Sequence, residues 1–350
     1  MTTVTILGAG VMGSAMSMPF SDKGMKVRVV GTHLDAEIID SIRGNGRHPK
    51  LNITMPSGIS AFKHEQLAKA LGDDTDFILL GVASAGVPWA IDRLASVLNK
   101  PVPIVMFTKG MKPETNTLRA LPDLVAEGLK AKLGFDVPIA AIAGPCIAGE
   151  LAARRHTGTV IVSRDLGLAT DFAQKFAGDY YHPRPSTDMI GAEVCAAFKN
   201  FFAITVGWAH GRNEVLAETE NKACNNNAAA ILFDQSVREL LVLTKALGGA
   251  SESVWGMPGV GDFYVTCQAG RNSRLGNALG RGLSYVEAKA GPMKDETVEG
   301  AELGIAVAGS LRAMVRDGKM SAHEIPLTLA LLDTLTEGMD FEPDWKLFHC

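Results

Sequence analysis

Short apolar runs alternate with longer helical patterns through the first half of this chain. Val4 to Leu7, Val27 to Val30, Phe77 to Val82, Val102 to Phe107 and Ile139 to Ala143 are β-rich, and the helical stretches between them predict βαβ units and a parallel-rich sheet. Several of these runs are apolar on consecutive positions, as expected of strands covered by helices on both faces. Val160 to Val162 is a further strand that would close this half. From about Ile190 the pattern changes to long Ala-, Leu- and Val-rich segments of helical period with few strand signals, which predicts an all-α second part. Between the halves, Tyr180-Tyr181-His182-Pro183-Arg184-Pro185 resists continued helix and reads as a joint. The expected division is therefore 1–185 and 186–350.

A length of 350 residues suits two such domains, and 47% hydrophobic with 21% charged residues is the balance of a packed globular protein. The formal net charge of −4, without any block of like charges, argues against a nucleic-acid-binding stripe or a polybasic membrane patch. Met1-Thr2-Thr3 runs straight into the first strand with no secretory pattern, and the apolar runs are interrupted short of a bilayer span. Cys146, Cys195, Cys224, Cys267 and Cys350 are scattered, with no C-x-x-C pair to suggest zinc, so no metal is expected. They read as reduced thiols of a cytoplasmic protein that does not enter a membrane.

Chemistry enters at the first strand. It is followed at once by Gly8-Ala9-Gly10-Val11-Met12-Gly13, and Ser14 to Phe20 opens a helix. In this strand–turn–helix setting the first glycine permits the tight turn, the second lets a pyrophosphate approach, and the third lets helix and strand pack closely. A methyltransferase could carry a similar loop, but the βαβ context favours a dinucleotide and an α/β Rossmann-type N-terminal domain. The second strand ends Val30-Gly31-Thr32-His33, with no acidic residue before Asp35. This leaves room for a 2′-phosphate held by His33 or Arg43 and makes NADP as plausible as NAD, with Asp35 reaching the ribose in the other case.

The segment Gly191 to Ile204 places Lys199 deep in an apolar helix. Desolvation would bring such an amine toward the range useful for exchanging a proton with a substrate hydroxyl, whereas snorkelling to water is the alternative.

Ala197-Phe198-Lys199-Asn200 resembles the Leu-Lys-Asn helix of NAD-dependent glycerol-3-phosphate dehydrogenases. Other landmarks follow in order: Thr108-Lys109-Gly110, Gly144-Pro145-Cys146-Ile147-Ala148-Gly149-Glu150, Gly261 to Asn272, Val298-Glu299-Gly300 and Ile325-Pro326-Leu327. The resemblance spans essentially the whole chain and implies hydride transfer between NAD or NADP and a small phosphorylated polyol, glycerol 3-phosphate. It implies Lys199 as the proton-transferring group, Lys109 polarising the reacting oxygen, and Asp262 and Thr266 completing the polar site. Asn200 would position the substrate, and Arg271 with Asn272 would hold its phosphate, for which a guanidinium offers planar paired donors. The cofactor would be met by Gly8, Ala9, Gly10, Val11, Met12, Gly13, His33, Lys109, Ala148, Arg271 and Glu299. A homodimer is expected. Among rivals, a 6-phosphogluconate or ketopantoate reductase type would lack the Thr-Cys and Arg-Asn segment, and retention of Lys199, Lys109 and Asp262 argues against a sensor without turnover.

Two departures stand out. Cys146 replaces the usual serine or threonine, exchanging a hydroxyl for a weaker hydrogen-bonding thiol. After the lysine helix, a polar stretch from His210-Gly211-Arg212-Asn213-Glu214 through Lys222 to Asn225-Asn226-Asn227 replaces a short glycine-rich turn. If it lay beside the substrate it would suit another polyol or sugar phosphate; otherwise it is a surface excursion or an oligomer contact.

Overall fold

A computed structural model describes residues 1–216 and 220–348 of the chain. Residues 217–219, in the middle of the polar insertion, and Cys350 lie outside the described residues. The chain divides into two compact units, one of residues 1–109 and 121–189, the other of 110–120 and 190–350.

The first unit is built on strands β1 (Thr3–Leu7), β2 (Lys26–Val30), the short hairpin β3 (Arg47–His48) and β4 (Ile53–Thr54), β5 (Ser60–Phe62), β6 (Phe77–Leu80) and β7 (Ile104–Met106). After the hairpin β8 (Met111–Pro113) and β9 (Leu118–Ala120) come β10 (Ile139–Ala143), β11 (Thr157–Val162) and β12 (Tyr181–Ser186). Eight of them form one sheet in the order β12-β11-β10-β7-β6-β1-β2-β5, parallel except where β10 meets β11. Helices α1 (Val11–Asp22), α2 (Ala36–Asn45), α3 (Leu67–Leu71), α4 (Val87–Ala95), α5 (Leu121–Leu133), α6 (Ala148–Ala152) and α7 (Leu166–Phe176) complete the unit. Every residue of β6 is buried, which explains its unbroken apolar reading. Phe20, Phe77, Phe172 and Phe176 interlock beside the sheet with ring centroids 4.8 to 5.8 Å apart.

The proline stretch expected to be a joint is instead the edge strand β12, paired in parallel with β11 alone. Proline cannot donate a ladder hydrogen bond, and an edge strand needs only one of its two sides. The division between the units falls just after it, between Met189 and Ile190.

The second unit contains α8 (Met189–Val215), α9 (Asn226–Ala246), α10 (Ser251–Trp255), a π turn over Met257–Gly261, α11 (Asp262–Gln268), α12 (Arg271–Gly280), α13 (Tyr285–Ala290), α14 (Glu299–Arg316) and α15 (Pro326–Glu337). It is helical as expected, with one addition: the β8–β9 hairpin joins it, and Met111, Leu118 and Ala120 pack into its core. α8 is long and apolar enough to cross a membrane, which the interrupted runs did not suggest, but 89% of its most apolar window is buried. Its residues from Val194 to Ala209 contribute to the unit's hydrophobic core.

Four glycines let α8 and α12 touch backbone to backbone. A Cβ at Gly207 or Gly211 would sit 2.3 or 2.1 Å from the carbonyl oxygen of Ser273 or Asn277, and one at Gly276 or Gly280 would sit 1.9 or 2.2 Å from that of Ile204 or Trp208. The spacing of four puts each pair on one helix face. The approach brings the start of α12 to the middle of α8, where Lys199 and Asn200 lie.

Candidate functional site

The glycine loop joins β1 to α1 as the motif requires. Gly8 has φ +117° and packs against Gly81, where a Cβ would lie 2.5 Å from the carbonyl oxygen. A Cβ at Gly13 would lie 2.1 Å from the Gly8 oxygen, so the third glycine fixes how closely helix meets strand. Gly10 is different: nothing lies within 4 Å of the position its Cβ would take. The first turn of α1 has no side-chain cap and no acidic residue, leaving amide donors and the positive end of the helix dipole for an anion. These features fit a dinucleotide pyrophosphate at Gly10, Val11 and Met12, and Val11 is exposed.

At the ribose end, Asp35 points inward. Its Oδ2 accepts from the amides of Ala9 (3.3 Å) and Thr32 (2.8 Å) and from the Thr32 hydroxyl (2.8 Å). His33 is exposed at the end of β2, its ring 5.7 Å from that of Trp89 and 6.5 Å from that of His64. Arg43 is committed elsewhere, to the Ala61 carbonyl and the Gln66 side chain.

In the second unit Lys199 projects from α8 with its side chain only 8% exposed, and it forms an ion pair with Asp262, whose side chain is 4% exposed. Its Nζ also donates to the Thr266 hydroxyl at 3.1 Å. That hydroxyl donates its own proton to the Asp262 carbonyl at 2.7 Å, so a lone pair is turned toward the lysine. Asp262 and Thr266 stand one turn apart on α11 and meet Lys199 together. Such a cluster holds an ammonium in a fixed position where water has little access. Beside it, burial pushes the Cys267 thiol up to about 12, against the nearby Lys199 charge, which keeps the sulfur protonated and unreactive.

Asn200, Asn272 and Gly300 form a second cluster. Asn272 donates to Asn200 Oδ1 at 3.2 Å and accepts from the Gly300 amide at 2.9 Å. A Cβ at Gly300 would lie 2.3 Å from the Asn200 carbonyl oxygen, which accounts for glycine after Val298-Glu299. Arg271 opens α12 after Gly270, which has φ +125° and provides no side-chain cap. Its guanidinium is half exposed and paired with Glu299. The start of α12 thus offers a guanidinium, an amide side chain and uncapped backbone donors to an anion.

Lys109, half-buried, lies in the loop after β7 and is the last residue of its segment of the first unit. Ala148 opens α6 after Gly144-Pro145-Cys146. The second unit brings together Lys199, Asp262 and Thr266 in one cluster, Asn200 and Asn272 in another, and Arg271 with Glu299; Gly8 to Gly13, His33, Lys109 and Ala148 belong to the first unit. His210 to Val215, expected in a replaced turn, instead continue α8. Asn225 then bonds back to Asn213 Oδ1 at 3.0 Å and to the Ala209 carbonyl at 3.0 Å.

Two residues escaped sequence reading. Fully buried His48 contacts the glycine loop, and nothing in its polar surroundings signals that. Glu239 is fully buried on α9 and accepts from Gln235, from the Leu327 and Thr328 amides and from the Thr328 hydroxyl at 2.6 to 2.8 Å. It satisfies the first turn of α15, which explains the Ile325-Pro326-Leu327 landmark, and burial pushes its carboxyl up to about 7.

Residues 3–169 match the model of the NAD-dependent glycerol-3-phosphate dehydrogenase N-terminus, and residues 188–344 match that of its C-terminus. An NADP(+)-dependent glycerol-3-phosphate dehydrogenase of Archaeoglobus fulgidus is 36% identical over 285 residues, 81% of this chain and 82% of the relative. A glycerol-3-phosphate dehydrogenase [NAD(P)+] of Bacillus cytotoxicus is 28% identical over 97% of this chain and 92% of its own. Among solved structures, the glycerol-3-phosphate dehydrogenase of Coxiella burnetii aligns with a TM-score of 0.77 at 27% identity, over 99% of this chain and 97% of that one. That of Plasmodium falciparum shares the fold with a TM-score of 0.82 at 19% identity, over 100% and 95% of the two chains.

Proposed function

The chain belongs to the NAD-dependent glycerol-3-phosphate dehydrogenase family, and on that premise we propose that it is an oxidoreductase interconverting glycerol 3-phosphate and dihydroxyacetone phosphate with NAD or NADP. The observation that carries the reading is the buried Lys199–Asp262–Thr266 cluster, with Arg271 and Asn272 at the start of α12. When bound, the dinucleotide would supply or accept a hydride. The amides at Gly10, Val11 and Met12 would hold its pyrophosphate.

Lys199 gives a proton to the ketone oxygen during reduction and removes it from the hydroxyl during oxidation. Asp262 balances the lysine charge, and Thr266 orients Nζ by accepting from it. Lys109 polarises the same oxygen, Arg271 and Asn272 receive the phosphate, and Asn200 steadies Asn272. Ala148, Arg271 and Glu299 contribute to the cofactor site. The related chains favour glycerol 3-phosphate over another polyol or sugar phosphate.

A cytoplasmic homodimer belongs to the same proposal, supported by the free thiols of Cys224 and Cys267 and by the exposed Trp255, Met257 and Tyr264. Light scattering on a sizing column tests the assembly. The activity is tested by following absorbance at 340 nm with dihydroxyacetone phosphate and NADH or NADPH. Oxidation of either coenzyme, lost in Lys199→Met, is expected; no turnover with either coenzyme would overturn the proposal.

A further inference from the structure

We propose that His48 is a positioning residue for coenzyme binding, a latch that aims the Gly10 amide at the pyrophosphate. The inference rests on the reading that Gly8 to Gly13 bind a dinucleotide.

His48 is fully buried, as are Ala9 and Ser14. The Leu51 amide donates to its Nδ1 at 2.9 Å. A backbone N–H can only donate, so Nδ1 accepts and the ring proton sits on Nε2, which then donates to the Ala9 carbonyl at 3.0 Å. The Ser14 hydroxyl donates to the same oxygen at 3.1 Å. On the other side of the residue, the Ala9 amide is held by Asp35. Ala9 is therefore clamped through both its backbone polar groups.

The consequence follows from peptide geometry. The Ala9–Gly10 bond is trans, like every other described peptide bond, so its carbonyl and its N–H point in opposite directions in one plane. Two donors that pull the Ala9 oxygen inward must turn the Gly10 N–H the opposite way, on a residue whose Cβ position has nothing within 4 Å. Glycine at position 10 would otherwise be the softest point of the loop. The β3–β4 hairpin serves to deliver the imidazole: Met55 N bonds to the Gly46 oxygen at 2.8 Å to close it, and Asn52 takes the left-handed turn position with φ 53°. A preorganised amide binds its anion without first giving up rotational freedom, so loosening it weakens binding of the coenzyme and leaves the phosphorylated substrate unaffected.

The test uses the full chain as wild type, His48→Leu, His48→Gln and Ser14→Ala, with NADPH and NADH titrated by fluorescence and KM measured for coenzyme and for dihydroxyacetone phosphate. His48→Leu is expected to raise the coenzyme Kd about tenfold, the scale of one lost hydrogen bond. Glutamine, which restores a donor near the Nε2 position, should return it to within about threefold of wild type, and Ser14→Ala should raise it about threefold. The substrate KM should stay put, a split that simple destabilisation would not produce. Coenzyme affinities unchanged in both His48→Leu and Ser14→Ala overturn the latch alone. Where His48→Leu does not fold, Ser14→Ala and His48→Gln decide. Wild-type protein that binds neither coenzyme removes the underlying reading, and the latch with it.

Discussion

Replacing Lys199 by methionine keeps most of the side-chain volume but removes the charge from a pair whose members are 8% and 4% exposed. Solvent cannot screen the carboxylate left behind, so Lys199→Met should cost about 3–5 kcal/mol of stability, the usual result of orphaning a buried ion. Asp262→Asn leaves the opposite charge unbalanced and should cost a similar amount. The double variant buries no unmatched charge, so its loss should be smaller than the sum of the singles by about 2–3 kcal/mol. Urea unfolding of the four proteins measures this cycle. Activity should not follow stability: kcat should fall by roughly 10²–10⁴ in Lys199→Met and stay down in the double variant, because restoring charge balance restores no proton donor. Additive stability losses would refute the buried pair. A double variant that recovers turnover would refute Lys199 as the proton carrier.

Other expectations follow from the same geometry. Gly13→Ala puts a Cβ where the Gly8 oxygen stands, 2.1 Å away, so it should cost about 1–3 kcal/mol and raise the coenzyme Kd at least about tenfold by titration. Arg271→Ala should raise KM for dihydroxyacetone phosphate by about ten- to a hundredfold, the scale of a charge-assisted hydrogen bond, with a smaller change in kcat. Because Asp35 is turned toward Ala9 and Thr32, NADPH should be used at least as efficiently as NADH; a strong NADH preference in kcat/KM would show that Asp35 rotates to the ribose. Glu239 has its folded value raised to about 7 from 4.5, so the native state holds a proton that the unfolded chain releases. Its contribution is full below about pH 4.5 and is lost as pH rises through 7, about 3 kcal/mol in all. That part of the pH dependence of the urea midpoint should vanish in Glu239→Gln.

Much of this was legible along the chain because it depends on local order. Buried parallel strands announce themselves as continuous apolar runs, and the glycine motif carries its own context of strand before and helix after. Lys199 was visible as a lysine deep in an apolar helix, and its partners Asp262 and Thr266 emerged through resemblance. The proline stretch misled because proline is a breaker in a helix but tolerable on an edge strand, and whether a strand lies at the edge is decided by its neighbours. The β8–β9 hairpin was missed because two three-residue strands are too short for periodicity to register.

The sequence by itself determined the alternation that makes the sheet, the loop that opens α1, the switch to helix near Ile190 and the residue types able to move a proton or hold a phosphate. Only the tertiary structure decided which of them meet. Lys199 reaches Asp262 across 63 positions of chain, Gly207 and Gly211 have meaning only when α12 lies against them, and His48 matters because a short hairpin folds it under a loop 39 residues earlier. Those contacts lie between segments far apart in sequence, and packing, not local propensity, selects them.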